Sequence, residues 1–224
     1  MIDKTLPGAS VARFIDHTIL KPDATDDEIK KLCQEAKQYG FAAVCINPPF
    51  VPLAVEYLKG TQVKVCSVAG FPLGAHPGEI KAQEARWAVQ HGAQEIDMVI
   101  PIGQLKMRRW EIVKNDIVSV VQATGGDAIV KVILETCLLK DDEIVRGCEI
   151  AVSAGAAFVK TSTGFSKEGA TLEVVSLMRK TVGPNIGVKA AGGIRTLAKT
   201  RAFLTAGANR IGTSSGVQIV EGKN

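Results

Sequence analysis

Apolar positions along the chain follow two alternating rhythms. Short runs rich in Val and Ile are separated by longer stretches in which apolar residues recur every three or four positions. The first rhythm is that of strands buried on both faces, and the second that of helices with one apolar face. The strand segments are FIDHTIL from Phe14, AAVCINP from Ala42, KVCSVAG from Lys64 and EIDMVIP from Glu95. IVKVILET from Ile129, FVKTSTG from Phe158, IGVKAAGG from Ile186 and NRIGTSSG from Asn209 complete the series. Eight strands in 224 residues give about 28 residues per unit, near the size of a minimal βα repeat.

The punctuation between the runs agrees. Thr25-Asp26-Asp27-Glu28 has the form of a capping box that opens a helix. Gly40, Gly92, Gly155 and Gly207 each follow a helical stretch, where a helix commonly ends. Three of them open a repeated phrase (GAQEI, GAAFV, GANRI), and GFAAV is a near match. No linker or composition break divides the chain, so residues 1–224 are expected to form one domain. The pattern predicts the α/β class and a parallel eight-stranded closed sheet, the (β/α)8 or TIM barrel. A doubly wound open sheet usually carries a G-x-G-x-x-G turn after its first strand, and FIDHTILKP has no glycine.

Composition narrows the function classes. Apolar content is 46% and charged content 22%, an ordinary globular mix. No apolar run is long enough for a membrane helix, and MIDKTLPGASVARF lacks the charged-then-apolar order of a leader. The net charge of +4 is scattered. Its densest spot, Lys106 to Trp110, reads as a solvated helix face, so neither nucleic acid nor membrane is an expected partner. The mild positive balance suits a small anionic substrate. Five cysteines with no C-x-x-C point to reduced thiols and a cytoplasmic protein. The three histidines show no metal-ligand spacing, and no metal is expected.

The chemistry lies inside the strands. Lys131, Lys160 and Lys189 interrupt apolar runs five, six and seven. A single such lysine is explained by a stem that snorkels to water, but three on neighbouring strands of a closed barrel are not. Clustered buried lysines are expected to have depressed pKa values, and a neutral amine attacks carbonyls. These residues alone predict imine chemistry without saying which lysine attacks. Asp97 is a lone carboxylate in a buried run, suited to proton transfer or to a structural ion pair. Asp16 reads the same way, while Glu135 suits a structural hydrogen bond equally well. Gly192-Gly193 after strand seven and Gly212-Thr213-Ser214-Ser215-Gly216 after strand eight stand where barrels commonly bind phosphate. Cys45 fits a small buried hydrophobe that could line the pocket.

The stretches FIDHTILKPDAT, VCINPPFV, VCSVAGFPLGA, EIDMVIPIGQLK, VKVILETCLL, FVKTSTGFSKEGAT, VKAAGGIRT and NRIGTSSG resemble the deoxyribose-phosphate aldolase family over essentially the whole chain. The resemblance implies a class I, Schiff-base aldolase without metal or organic cofactor. It implies reversible cleavage of 2-deoxy-D-ribose 5-phosphate to D-glyceraldehyde 3-phosphate and acetaldehyde. By the same resemblance Lys160 forms the Schiff base, while Asp97 and Lys189 donate and accept protons. Gly164, Gly192, Gly193, Ser214 and Ser215 hold the phosphate, and Asp16, Cys45, Lys131 and Thr163 belong to the substrate pocket. The family often forms homodimers. Two departures stand out. Phe165 occupies a position where some members carry a phosphate-binding lysine, and the chain lacks the C-terminal tyrosine of others; its tyrosines are Tyr39 and Tyr57. A looser phosphate grip is therefore expected. The alternatives are another phosphate-binding barrel lyase, an isomerase with Asp97 as base, and a barrel that binds sugar phosphate without catalysis.

Overall fold

All eight apolar runs form strands in the computed structural model, which describes residues 8–223. The first half of the stretch read above for a leader, residues 1–7, lies outside that range. The strands are β1 (Ile15–Ile19), β2 (Ala43–Ile46), β3 (Lys64–Ala69) and β4 (Glu95–Val99), followed by β5 (Ile129–Ile133), β6 (Phe158–Lys160), β7 (Gly187–Ala191) and β8 (Arg210–Thr213). Each pairs in parallel with the next, and β8 returns to β1 through Ile15↔Ile211 and Asp16↔Gly212. The sheet is therefore closed, and the chain forms a (β/α)8 barrel. Closure leaves no edge strand, so a lysine in mid-strand must face either the helix layer or the barrel interior.

The run FVKTSTG contracts to a three-residue strand. Beyond Lys160 the Thr161 hydroxyl takes over the pairing: Ala191 N–H donates to it at 3.1 Å, and it donates to Ala191 C=O at 3.2 Å. Helices cover the outside of the barrel. That at Asp26–Tyr39 opens on the expected capping box, with Thr25 Oγ1 accepting from Glu28 N–H, and closes on left-handed Gly40. The basic spot near residue 106 is not one helical face. Helix Ile102–Lys106 ends there, helix Trp110–Ala123 begins, and Arg108 between them has φ 56°.

A large apolar core lies between the strands and the helices. It includes Ile96, Met98, Val132, Val159, Val188 and Ile211 from the outward faces of the strands. One buried charge pair interrupts this layer. Lys81 donates to Asp116 Oδ2 at 2.9 Å and to the Val99 carbonyl at 2.9 Å, tying helix Gly78–Gln90 to helix Trp110–Ala123 and to the end of β4. A smaller apolar cluster of Leu20, Ala43, Cys45, Cys66 and Val68 fills one side of the barrel interior. Barrel interiors are usually layers of branched aliphatics. Here the opposite side is charged.

Candidate active site

Side chains alternate across a strand, so residues two apart share a face. That periodicity brings a titratable group into the interior from every strand. Asp16 comes from β1, Cys45 from β2, Cys66 from β3, and Glu95 and Asp97 from β4. Lys131, Lys160, Lys189 and Arg210 come from β5 to β8 in order. Asp97 is the hub. Its Oδ1 accepts from Lys131 at 2.7 Å, and its Oδ2 accepts from both Lys160 at 2.8 Å and Lys189 at 2.7 Å. Lys189 also donates to Asp16 Oδ2 at 2.5 Å, while the other Asp16 oxygen accepts from Arg210. Arg210 grips Glu95 with two hydrogen bonds, of 2.6 and 3.1 Å, and Glu95 Oε2 lies 2.7 Å from Lys131 Nζ. Cys66 Sγ completes the contacts, 3.2 Å from both Asp97 Oδ1 and Lys131 Nζ.

Burial and pairing compete at Asp97, Asp16, Lys189 and Lys131, and pairing wins at all four. Burial alone would lift the Asp97 carboxyl, but Lys131, Lys160 and Lys189 hold it well below the usual carboxylate range. Burial likewise opposes ionisation of Asp16, yet Lys189, Arg210 and Lys131 bring its pKa to about 2. The same pairing acts on the cations. Burial draws Lys189 down, but Asp16 and Asp97 more than offset it and raise its pKa. Lys131 is raised well above its ordinary value against burial, chiefly by Asp97. The expectation of depressed lysines is thus corrected for Lys131 and Lys189. The clustering argument counted their mutual repulsion and omitted the three carboxylates between them.

The count of charges is not balanced. Four cations (Lys131, Lys160, Lys189, Arg210) share three carboxylates (Asp16, Glu95, Asp97). One proton is therefore in surplus. Lys131 has carboxylate oxygens of Glu95, Asp97 and Asp16 within 4.0 Å, and Lys189 has those of Asp16 and Asp97. Lys160 has Asp97 alone. It is the amine that can release its proton with the least loss of pairing.

Lys160 is also the one of the three that reaches open space. A cavity of about 370 Å³ lies at the C-terminal ends of the strands, and Lys160 is on its wall with Thr18, Thr163, Gly164 and Phe165. Gly192, Gly193, Arg195 and Ser214 line the same cavity. Lys131, Lys189, Asp16, Asp97 and Cys45 are all fully buried beneath the cavity, off its wall. Lys131 and Cys45 thus stand behind the cavity wall rather than on it. Ser214 lies on the wall. Ser215 does not; it begins helix Gly216–Val220, and its N–H donates to Thr213 Oγ1 at 3.0 Å.

The backbone around the cavity is fixed from behind. Glu135, itself at φ 57°, accepts from Thr163 N–H and Oγ1, so its role here is a structural hydrogen bond to the loop. Gly192 has φ 90°, and a Cβ there would lie 2.7 Å from Gly169 Cα, so only glycine lets the two loops meet. Gly212 makes room below, since a Cβ would lie 3.1 Å from Lys189 Cε. Phe165 packs edge-to-face on Phe71 with ring centres 5.3 Å apart, giving the cavity mouth an apolar rim. Neither tyrosine is on the cavity wall; Tyr39 hydrogen-bonds Glu221 on the outside, at 2.5 Å.

Cys45, Cys66 and Asp97 offer ligand atoms within 4.8 Å of one another. A metal ion there would meet the three ammonium groups already on Asp97. The donor set fits the lysines and not a further cation.

Four functional candidates escaped the sequence reading. Arg210 and Glu95 open their strands, where a charged residue is commonplace in sequence. Arg195 follows the Gly192-Gly193 turn, where a cation beside a phosphate-type loop was the available signal. Cys66 sits in the apolar run KVCSVAG, which gives no sign of its contact with Asp97 and Lys131.

A closed parallel barrel, a cavity at its C-terminal face and an amine held on a carboxylate define a (β/α)8 enzyme that works with lysine and carboxylate groups. Comparison with known proteins makes this specific. Residues 10–222 match the model of the DeoC/LacD family aldolases. The deoxyribose-phosphate aldolase of Geobacillus sp. (strain WCH70) is 61% identical over 214 residues, covering 96% of each chain. The deoxyribose phosphate aldolase of Aeropyrum pernix, described as a unique tetramer, superposes with a TM-score of 0.89 at 36% identity, over 96% of this chain and 91% of that one. A structure from Coccidioides immitis assigned to the same activity gives 0.93 at 47% identity, over 96% and 86% of the two chains. The chain belongs to the DeoC/LacD aldolase family and is a carbon–carbon lyase by class.

Proposed function

We propose that the chain cleaves 2-deoxy-D-ribose 5-phosphate reversibly to D-glyceraldehyde 3-phosphate and acetaldehyde, through a Schiff base on Lys160. The observation that carries this reading is the division among the strand lysines: Lys160 alone of the three stands on the cavity wall, and it has the fewest carboxylate partners. The relatives named above are deoxyribose-phosphate aldolases, which supports the choice of substrate.

The geometry supports the following course. Lys160 Nζ gives its proton toward Asp97 Oδ2, which Lys189 shares. The free amine adds to the C1 aldehyde of the open-chain sugar, and loss of water leaves an iminium. Acetaldehyde carries C1 and C2, so the bond that breaks is C2–C3. Its electron pair moves to the iminium as the 3-hydroxyl loses its proton. Glyceraldehyde 3-phosphate leaves, C2 of the enamine is protonated, and water releases acetaldehyde. Asp97 and Lys189 lie beneath the cavity, so once Lys160 is bound to C1 they exchange protons with the substrate through a water molecule, which takes the 3-hydroxyl proton and returns one to C2. The charged Lys189 stabilises the proton-deficient amine beside it. Gly164, Gly192, Gly193 and Ser214 suit the phosphate end, and Arg195 adds a full positive charge.

Five unpaired cysteines support a cytoplasmic protein. No helix among the described residues is long and apolar enough to cross a membrane. We further propose one domain over residues 1–224 and self-association, with a homodimer as the expected form; a monomer by sedimentation would contradict the latter. The activity is tested by following acetaldehyde release from 2-deoxyribose 5-phosphate in wild type and Lys160→Met. Release by wild type and none by the variant supports the reading. Equal release by both, or none by either, overturns it.

A further inference from the structure

We infer that Arg210, which has no place on the cavity wall, sets the protonation of Lys160 through the charge balance of the barrel interior. The inference rests on the reading of Lys160 as the imine-forming residue. Arg210 opens β8 a layer below the cavity, with its guanidinium 5.9 Å from the centre of the Phe158 ring. It donates to Asp16 and to both oxygens of Glu95. Each of these carboxylates also serves a lysine: Asp16 binds Lys189, and Glu95 binds Lys131. A guanidinium keeps its charge throughout the working pH range. It therefore claims a fixed share of the three negative charges and leaves two for three lysines.

The surplus falls on Lys160, by its single carboxylate contact and its access to the cavity. Lys64, the remaining lysine on the strands, is exposed at the start of β3 and stays outside the count. The Cys45 and Cys66 thiols carry no charge when protonated, and Glu135 is bound to Thr163. His17 faces the helix layer, 2.7 Å from Glu35.

Opposite substitutions then have opposite effects. Arg210→Met leaves three lysines on three carboxylates, so Lys160 keeps its proton to higher pH. Glu95→Gln leaves four cations on two carboxylates, so Lys160 loses its proton at lower pH. One buried charge added or removed in this layer is expected to move the acid limb of adduct formation by about one pH unit. Arg210→Lys keeps the charge and is expected to keep the wild-type profile. A residue that merely props the barrel would not produce shifts whose sign follows the charge removed.

The test is the pH dependence of adduct formation at Lys160 with acetaldehyde and cyanoborohydride, read by peptide mass spectrometry on the full chain. The acid limb is expected to move up by about one unit in Arg210→Met and down by a similar amount in Glu95→Gln. Should Arg210→Met fail to fold, the sign of the Glu95→Gln shift decides. Limbs that stay put, or move in the same direction in both variants, overturn this inference alone. A wild-type protein with no Lys160 adduct overturns the functional reading and this inference with it.

Discussion

Replacing Lys189 with Leu tests how the charged layer supports Lys160. The side chain is fully buried and off the cavity wall, so the substitution removes no direct substrate contact. It removes hydrogen bonds to Asp16 Oδ2 at 2.5 Å and to Asp97 Oδ2 at 2.7 Å. Asp16 still holds Arg210, and Asp97 still holds Lys131 and Lys160. Neither carboxylate is orphaned, so the cost should sit at the low end for a broken buried pair, about 3 kcal/mol. For a chain of this size that lowers Tm by roughly 6–12 °C. Catalysis should suffer far more. Loss of Lys189 removes one partner from the proton path and leaves three cations for three carboxylates, so Lys160 holds its proton more firmly. A positioned proton-transfer group contributes roughly 10²–10⁴-fold, and kcat/KM for 2-deoxyribose 5-phosphate should fall within that range. The assay couples acetaldehyde release to NADH oxidation by an alcohol dehydrogenase, with circular dichroism to verify folding. A folded Lys189→Leu protein within about threefold of wild-type kcat/KM would refute the reasoning.

Other consequences can be checked separately. Arg195→Ala should raise KM for the phosphorylated sugar by roughly 10- to 100-fold, as for loss of a charge-assisted hydrogen bond, and leave cleavage of unphosphorylated 2-deoxyribose unchanged; equal losses on both substrates would remove Arg195 from the phosphate end. Gly192→Ala places a Cβ 2.7 Å from Gly169 Cα at φ 90°, and thermal melting should show a loss of about 1–3 kcal/mol with a raised KM. Asp16 is held at about 2 against an ordinary 3.8, so its pairing stabilises the fold above the ordinary value and is lost as pH falls from about 4 toward 2. Urea midpoints should drop steeply across that window in wild type and less steeply in Asp16→Asn. Lys81→Met strands Asp116 in the helix layer and should cost about 3–5 kcal/mol, with much of it recovered in the double variant Lys81→Met with Asp116→Leu. A double variant no better than the single one would mean the pair itself is a large net stabiliser.

Much of the molecule was legible because its signals are local. The Val- and Ile-rich runs marked every strand, since a strand covered on both faces must be apolar almost throughout. The lysines at 131, 160 and 189 stood out against that background for the same reason. What stayed hidden depends on closure. Glu95 and Arg210 lie 115 positions apart and look like ordinary polar strand ends until β4 and β8 face each other across the barrel. The sign of the lysine shifts was hidden with them: repulsion among lysines follows from their clustering, but the compensating carboxylates come from β1 and β4. Depth was equally illegible. Lys160 and Lys131 occupy similar apolar runs, yet Lys160 closes its strand at the cavity and Lys131 sits mid-strand below it. Arg195 required knowing that the loops after β6, β7 and β8 share one cavity wall.

The most direct test of Lys160 as the covalent residue is chemical. The protein is incubated with acetaldehyde, the imine is reduced with borohydride, and the digest is mapped by mass spectrometry. An N-ethyl group on Lys160, absent when borohydride is omitted, is the predicted result. No adduct, or an adduct confined to Lys131 or Lys189, would contradict it.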